Sequence, residues 1–207
     1  ALPFTINKTM MRVDLPKPLA AGASYAFKVS WWYNINDRFK EGGRSGYEFF
    51  PKDSNYLYAI AQFFPRMCVY DDINGWQHKQ CLGGGEFTLV FGDYDVKITV
   101  PADHAVAATG TLQNAKEILT KTQYDRYAQA QKSYVDPVKI ITNEEAVMME
   151  AGRLSTEKTW HFKATNVRDF AFASSRKFIW DAMAVKQAES PDVMAMSMYP
   201  KEGNPLW

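Results

Sequence analysis

Short runs of β-branched and aromatic residues, each closed by a turn signal, recur along most of this chain and restrict it to a mainly β fold. The first two thirds contain "TMMRVDL" (9–15), "SYAFKVSWWYNI" (24–35), "YLYAIAQFF" (56–64), "EFTLVF" (86–91) and "YDVKITVP" (94–101). "KPLAAGA" (17–23) reads as a loop, and "DRFKEGGRSG" (37–46) as a polar surface loop. Gly92-Asp93, between two strand-like runs, reads as a hairpin turn. The character changes near residue 113. "NAKEILTKTQYDRYAQAQKS" (114–133) predicts one helix or two short ones, and "EEAVMMEAG" a further helix with Asn143 as N-cap and Gly152 as its stop. Strand patterns flank that helix: "VKIIT" (138–142) before it, then "TWHFKAT" (159–165), "DFAFASS" (169–175), "KFIWDAMAV" (177–185) and "VMAMSMYP" (193–200). Strands at this spacing, with one or two short helical insertions, fit an antiparallel β-sandwich or saddle-shaped sheet domain. No stretch has a linker's composition, so the expectation is a single β domain over residues 1–207.

Charge narrows the partners. Lys plus Arg number 24 and Asp plus Glu 23, so neither a nucleic-acid surface nor an acidic tail is indicated. No apolar run reaches the roughly 20 residues of a membrane helix. Ala1 leads directly into "LPFTINKTMMRV", without the basic and apolar regions of a signal peptide. Two cysteines, Cys68 and Cys81, are too few for a disulfide scaffold; each reads as a free thiol, with a bond across a hairpin left open.

The search for catalytic chemistry returns no complete set. His78, His104 and His161 are isolated, and none has a second ligand one helical turn away, as a zinc peptidase's HExxH requires. "GRSGY" (43–47) lacks the strand-to-helix context of a nucleophile elbow. "CLGGGE" (81–86) lacks the GK[ST] ending of a phosphate loop. Asp71-Asp72 and Glu144-Glu145 are adjacent pairs, and neighbours on a strand point to opposite faces.

"AQFFPRMCVYDDINGW" (61–76), followed by "GEFTLVFGDYDVKITVPADHAVAATGTLQN" (85–114), resembles the N-terminal β domain of the aminopeptidase N-type zinc metallopeptidases, the gluzincin aminopeptidase family. That family carries a "TQFEP…ARRAFPCFDEP" segment followed by a strand of the "F.v.i.vP….alSN" kind. Gln62, Phe63 and Pro65 match its first piece, "CVYDD" (68–72) matches its turn loosely, and "VKITVPADHAVAATG" (96–110) matches the strand. The likeness extends over most of residues 9–185 and is nearest to a divergent, largely bacterial branch with "QFFPRM.VYDD..GW".

The resemblance implies a piece of a longer enzyme, with no HExxH helix or GxMEN motif in these 207 residues. On this reading the chain is non-catalytic and caps the active-site cleft. Its partners are its own catalytic domain, which would hold zinc, and a peptide substrate at the cleft edge. A secreted or periplasmic parent follows from the same likeness. One family role carries over to Gln62, which aligns with the glutamine beside the substrate's free α-amine. Phe64 stands where the family often has an acid. A phenyl ring cannot neutralise an ammonium group, although its face can hold one by cation–π attraction of about 0.5–2 kcal/mol. The competing reading is a stand-alone ligand-binding or adhesion β-sandwich that uses Trp31, Trp32, Tyr33 and Trp76 as stacking surfaces.

Overall fold

A computed structural model describes residues 1–80, 84 and 88–204. The strands in chain order begin with Phe4–Asn7 (β1) and Met10–Val13 (β2), then Gly46–Phe50 (β3) and Asn55–Ile60 (β4) after the short helix Arg38–Glu41 (α1). Tyr70–Asp71 (β5), Gly75–Trp76 (β6), Gly92–Pro101 (β7), Ala105–Ala108 (β8) and Thr111–Leu112 (β9) follow. Helices Ala115–Ile118 (α2) and Lys121–Ala130 (α3) precede Val138–Ile141 (β10) and helix Asn143–Ala151 (α4). Glu157–Val167 (β11), Phe172–Ser175 (β12), Phe178–Val185 (β13) and Val193–Pro200 (β14) complete the strands, before a 3-10 turn at Lys201–Gly203. The fold is mainly β, and among the described residues every ladder between two strands is antiparallel, with one isolated parallel bridge between Asp37 and Tyr47.

The chain separates into two compact units, Ala1–Tyr33 with Phe64–Phe91, and Asn34–Phe63 with Gly92–Trp207. In the first, β1 pairs with β2 and β5 with β6. Gln80 secures the β1–β2 hairpin: its side-chain oxygen accepts from Thr9 N at 3.1 Å and its amide donates to Asn7 O at 3.1 Å. Residues 24–35 and 88–91, read as strands from composition, form no ladder among the described residues. β propensity describes a fit to a half-buried pleated surface, and backbone groups without a pairing neighbour do not produce that surface. Residues 86 and 87 of the "EFTLVF" run lie outside the described residues.

Among the described residues the second unit contains three sheets, ordered β3-β4-β12-β8, β7-β11-β9 and β10-β13-β14. Alternation along β11 buries Trp160, Phe162 and Ala164 and turns Thr159, His161 and Lys163 outward, as period-2 patterning requires. Trp160 meets Trp180 of β13 at 6.5 Å between ring centroids, and Tyr127 of α3 closes on Trp180 at 5.6 Å. Phe170, Phe178, Ile140 and Ile179 are likewise almost wholly buried.

Three further details differ from the sequence reading. Residues 38–41 of the run read as a polar loop form α1, with the Asp37 carboxylate accepting from Phe39 N at 3.1 Å as its N-cap. Gly92 does not turn a hairpin but opens β7, opposite Val167 of β11. The N-cap of α4 is Thr142 and not Asn143: its hydroxyl accepts from Glu145 N while the Glu145 carboxylate accepts from Thr142 N, a complete capping box. Thr120 and Gln123 make the same box at α3 and separate it from α2, so residues 114–133 form two helices.

Candidate functional site

The long β7–β11 ladder turns one polar row to the outside. Register places Lys97 opposite His161, Thr99 opposite Thr159 and Asp95 opposite Lys163. The two threonine hydroxyls are hydrogen-bonded at 2.9 Å. Asp95 receives His161 Nε2 at 2.6 Å and Lys163 Nζ at 3.2 Å, and these two contacts hold its carboxyl below the usual aspartate range. Beside this row runs the segment leading into α2. Asn114 continues the ladder with its side chain after the backbone has turned away: Nδ2 donates to Thr159 O at 2.9 Å, and Oδ1 accepts from His161 N at 3.0 Å. The result is a cleft of about 640 Å³ with Lys97, Thr159 and His161 as its floor and Gln113, Asn114, Glu117 and Ile118 as its wall. It is open to solvent and, Ile118 apart, lined by polar side chains.

A second cluster is buried. Lys177, in the β12–β13 turn, is fully enclosed, with its ammonium 2.8 Å from Glu150 and 3.1 Å from Glu202 and also bonded to Asp53. Lys201 joins from the 3-10 turn by pairing with Glu150. Burial alone would pull the Lys177 amine down, but its hydrogen bonds to the three carboxylates outweigh that effect and hold it above its ordinary value. The ligand atoms of Asp53, Glu150 and Glu202 lie within 4.8 Å of one another, as in a metal cage, and Lys177 already bridges all three. No other set of three ligating side chains converges among the described residues, and this one contains no histidine.

The third polar feature is His104, whose Nδ1 lies 2.9 Å from the Ser174 hydroxyl, with both residues buried. Desolvation, followed by repulsion from Arg176, lowers the imidazole to about 4, so it is neutral at pH 7. Asp103 does not orient the ring. It accepts from Arg176 at 3.1 Å and from Leu154 N at 3.1 Å.

The residues singled out by sequence are spread among these features. Gln62 is exposed with φ of 53°, a left-handed backbone rare for a non-glycine residue, and it follows the end of β4. Phe64 is half-buried and has the Arg66 guanidinium 5.5 Å from its ring centroid. The boundary between the two units falls between Phe63 and Phe64, so Gln62 and Phe64 belong to different units. Ser45 of "GRSGY" bonds backbone: its hydroxyl donates to Ala59 O at 3.3 Å and accepts from Ala61 N at 3.1 Å. Asp71 accepts from Ile73 N at 3.0 Å, Asn74 N at 2.6 Å and the Gln77 amide at 2.6 Å, as a turn residue does. Cys68 is a free, half-buried thiol 3.9 Å from the Met10 sulfur, while Cys81 and most of "CLGGGE" lie outside the described residues. Sequence reasoning passed over Lys97, Glu117 and Lys177. The first is visible as the polar phase of "YDVKITV", whereas only the fold brings Lys177 to carboxylates 27 and 124 positions away.

Compared with protein-family models, with curated proteins and with solved structures, the chain matches none.

Proposed function

We propose that this chain is the non-catalytic N-terminal domain of a zinc-dependent, aminopeptidase-like peptidase, where it packs on the catalytic domain and caps one side of its cleft. The observation that carries the reading is the surface of the segment with the family likeness. Met67, Tyr70, Ile73 and Trp76 are all exposed, Ile73 to 87% and Tyr70 to 65%. Large apolar side chains concentrated on one short segment are the mark of a surface that a partner covers. The mainly β, antiparallel fold agrees with the same reading. Gln62 and Phe64 are the residues proposed to face the peptide substrate, and zinc belongs to the partner domain.

The test has two parts. The reading frame downstream of Trp207 should encode an HExxH helix, and the longer product should cleave aminoacyl-p-nitroanilides in a chelator-sensitive manner. Zinc-dependent hydrolysis by the 207 residues alone would overturn the proposal. A second reading, glycan or peptide capture by a stand-alone domain, is favoured by Trp32, which is 85% exposed beside Trp31 and Tyr33. Quenching of tryptophan fluorescence by soluble glycans, lost in Trp32→Ala, separates it from the first.

A further inference from the structure

The β7–β11 cleft holds two opposite charges that do not meet. Asp95 is matched by His161 and Lys163, but among the described residues Lys97 makes no ion pair or hydrogen bond. Among the described residues the Glu117 carboxylate has one polar contact, a 3.5 Å approach of the Asn114 amide, at the limit of a hydrogen bond. Both line the same cleft and they form no salt bridge with each other, so a gap separates them. Gln113 uses its amide nitrogen on Thr111 O at 2.7 Å, which leaves its side-chain oxygen as an acceptor. Ile118 supplies an apolar wall.

We propose that this cleft binds a small aliphatic zwitterion of the amino-acid class. The carboxylate is held by Lys97, the ammonium by Glu117 and Gln113 Oε1, and the side chain rests on Ile118. A ligand with one charge of each sign satisfies both residues at once, whereas a simple anion or cation leaves one opposed. The floor is suited to this role because it is preformed: it is part of a long two-strand ladder, and Asn114 pins the wall to β11 through two bonds. The proposal is independent of the parent reading, since it uses neither Gln62 nor Phe64.

The experiment is an NMR titration of the isotopically labelled chain with L-leucine, N-acetyl-L-leucine and L-leucinamide. L-leucine should produce saturable shifts at Lys97, Gln113–Ile118, Thr159 and His161 with millimolar affinity. The acetylated compound lacks the ammonium and the amide lacks the carboxylate; each should bind at least about tenfold more weakly. Lys97→Met and Glu117→Gln should each weaken L-leucine by about tenfold. Both positions are exposed, so the spectra of the core residues around Trp160 should stay unchanged. The proposal is overturned if L-leucine causes no saturable shift, if either analogue binds as well, or if the variants bind as the parent does.

Discussion

The Lys177 ammonium lies 2.8 Å from the Glu150 carboxylate, with the lysine side chain fully buried and the glutamate only 5% exposed. A buried ion pair contributes little over an apolar replacement of both partners, but losing one partner leaves an uncompensated charge without water. Here Lys177 also compensates Asp53 and Glu202, and without it Lys201 alone would face the three carboxylates. Lys177→Met should therefore destabilise the fold by about 3–5 kcal/mol in urea denaturation. As a control, Lys121→Ala breaks the exposed 2.7 Å pair with Asp125 and should leave the unfolding midpoint unchanged. Equal midpoints for the two variants would refute this account of the cluster.

His104 makes a prediction about pH. Its folded value of about 4 lies below the ordinary 6.5, so between these limits the unfolded chain binds the extra proton. Stability consequently falls as pH drops from about 6.5 to about 4, by roughly 3 kcal/mol if the whole shift is expressed. Carboxylates held low by their partners, such as Asp53 and Asp103, add their own loss of stability from about pH 5 downward, most of it below about 4. His104→Asn places a side-chain amide atom where Nδ1 stands against the Ser174 hydroxyl and should flatten the pH dependence above about 4.5. An unchanged slope in that variant would mean that His104 does not carry it.

Much of the fold was legible because alternation is a local signal. The strands from β10 onward and β7 lie close to where their patterns predict them. Helices α3 and α4 differ from expectation mainly at their threonine caps, whereas the short α1 lies inside a run read as a loop. Residues 24–35 misled for a physical reason: aromatic richness reports a preference for pleated surface but not the presence of a neighbour to pair with. The partition into two units was not legible either. Each unit is assembled from separate segments, so no linker composition marks the boundary at Phe63–Phe64. The cleft was half visible. His161 was noticed for its chemistry, but its relation to Asn114, 47 positions away, depends on strand register.

That relation is itself testable. Asn114 satisfies one carbonyl and one amide on β11 that no backbone strand reaches. Replacing it with alanine leaves both without that partner in a partly buried place, at a cost of about 1–3 kcal/mol. Asn114→Asp keeps the acceptor for His161 N but loses the donor to Thr159 O, so it should fall between alanine and the parent. Hydrogen exchange gives the sharper readout. The His161 amide should lose protection in Asn114→Ala and keep it in Asn114→Asp; loss in both would show that the bond to Thr159 O, not the one to His161 N, holds the cleft wall.

Gly110, in the turn between β8 and β9, offers a test of backbone geometry. Its φ is +91°, and a Cβ added there would lie 2.3 Å from Lys163 O and 2.8 Å from Lys163 C. Those atoms are backbone of the central strand β11, held by pairing on both sides, so they cannot retreat. Gly22 has a similar φ of +74° but open space around its missing side chain. Left-handed backbone alone costs an L-residue about 1–2 kcal/mol, and this is the effect expected for Gly22→Ala. Gly110→Ala adds a clash that only displacement of the β9–β11 edge can relieve, so it should cost at least about 3 kcal/mol. Because β9 leads directly into the cleft wall, the same substitution should also weaken protection of the Lys163 amide. Matching losses in the two alanine variants would mean that backbone conformation, and not the close approach to β11, is why glycine stands at 110.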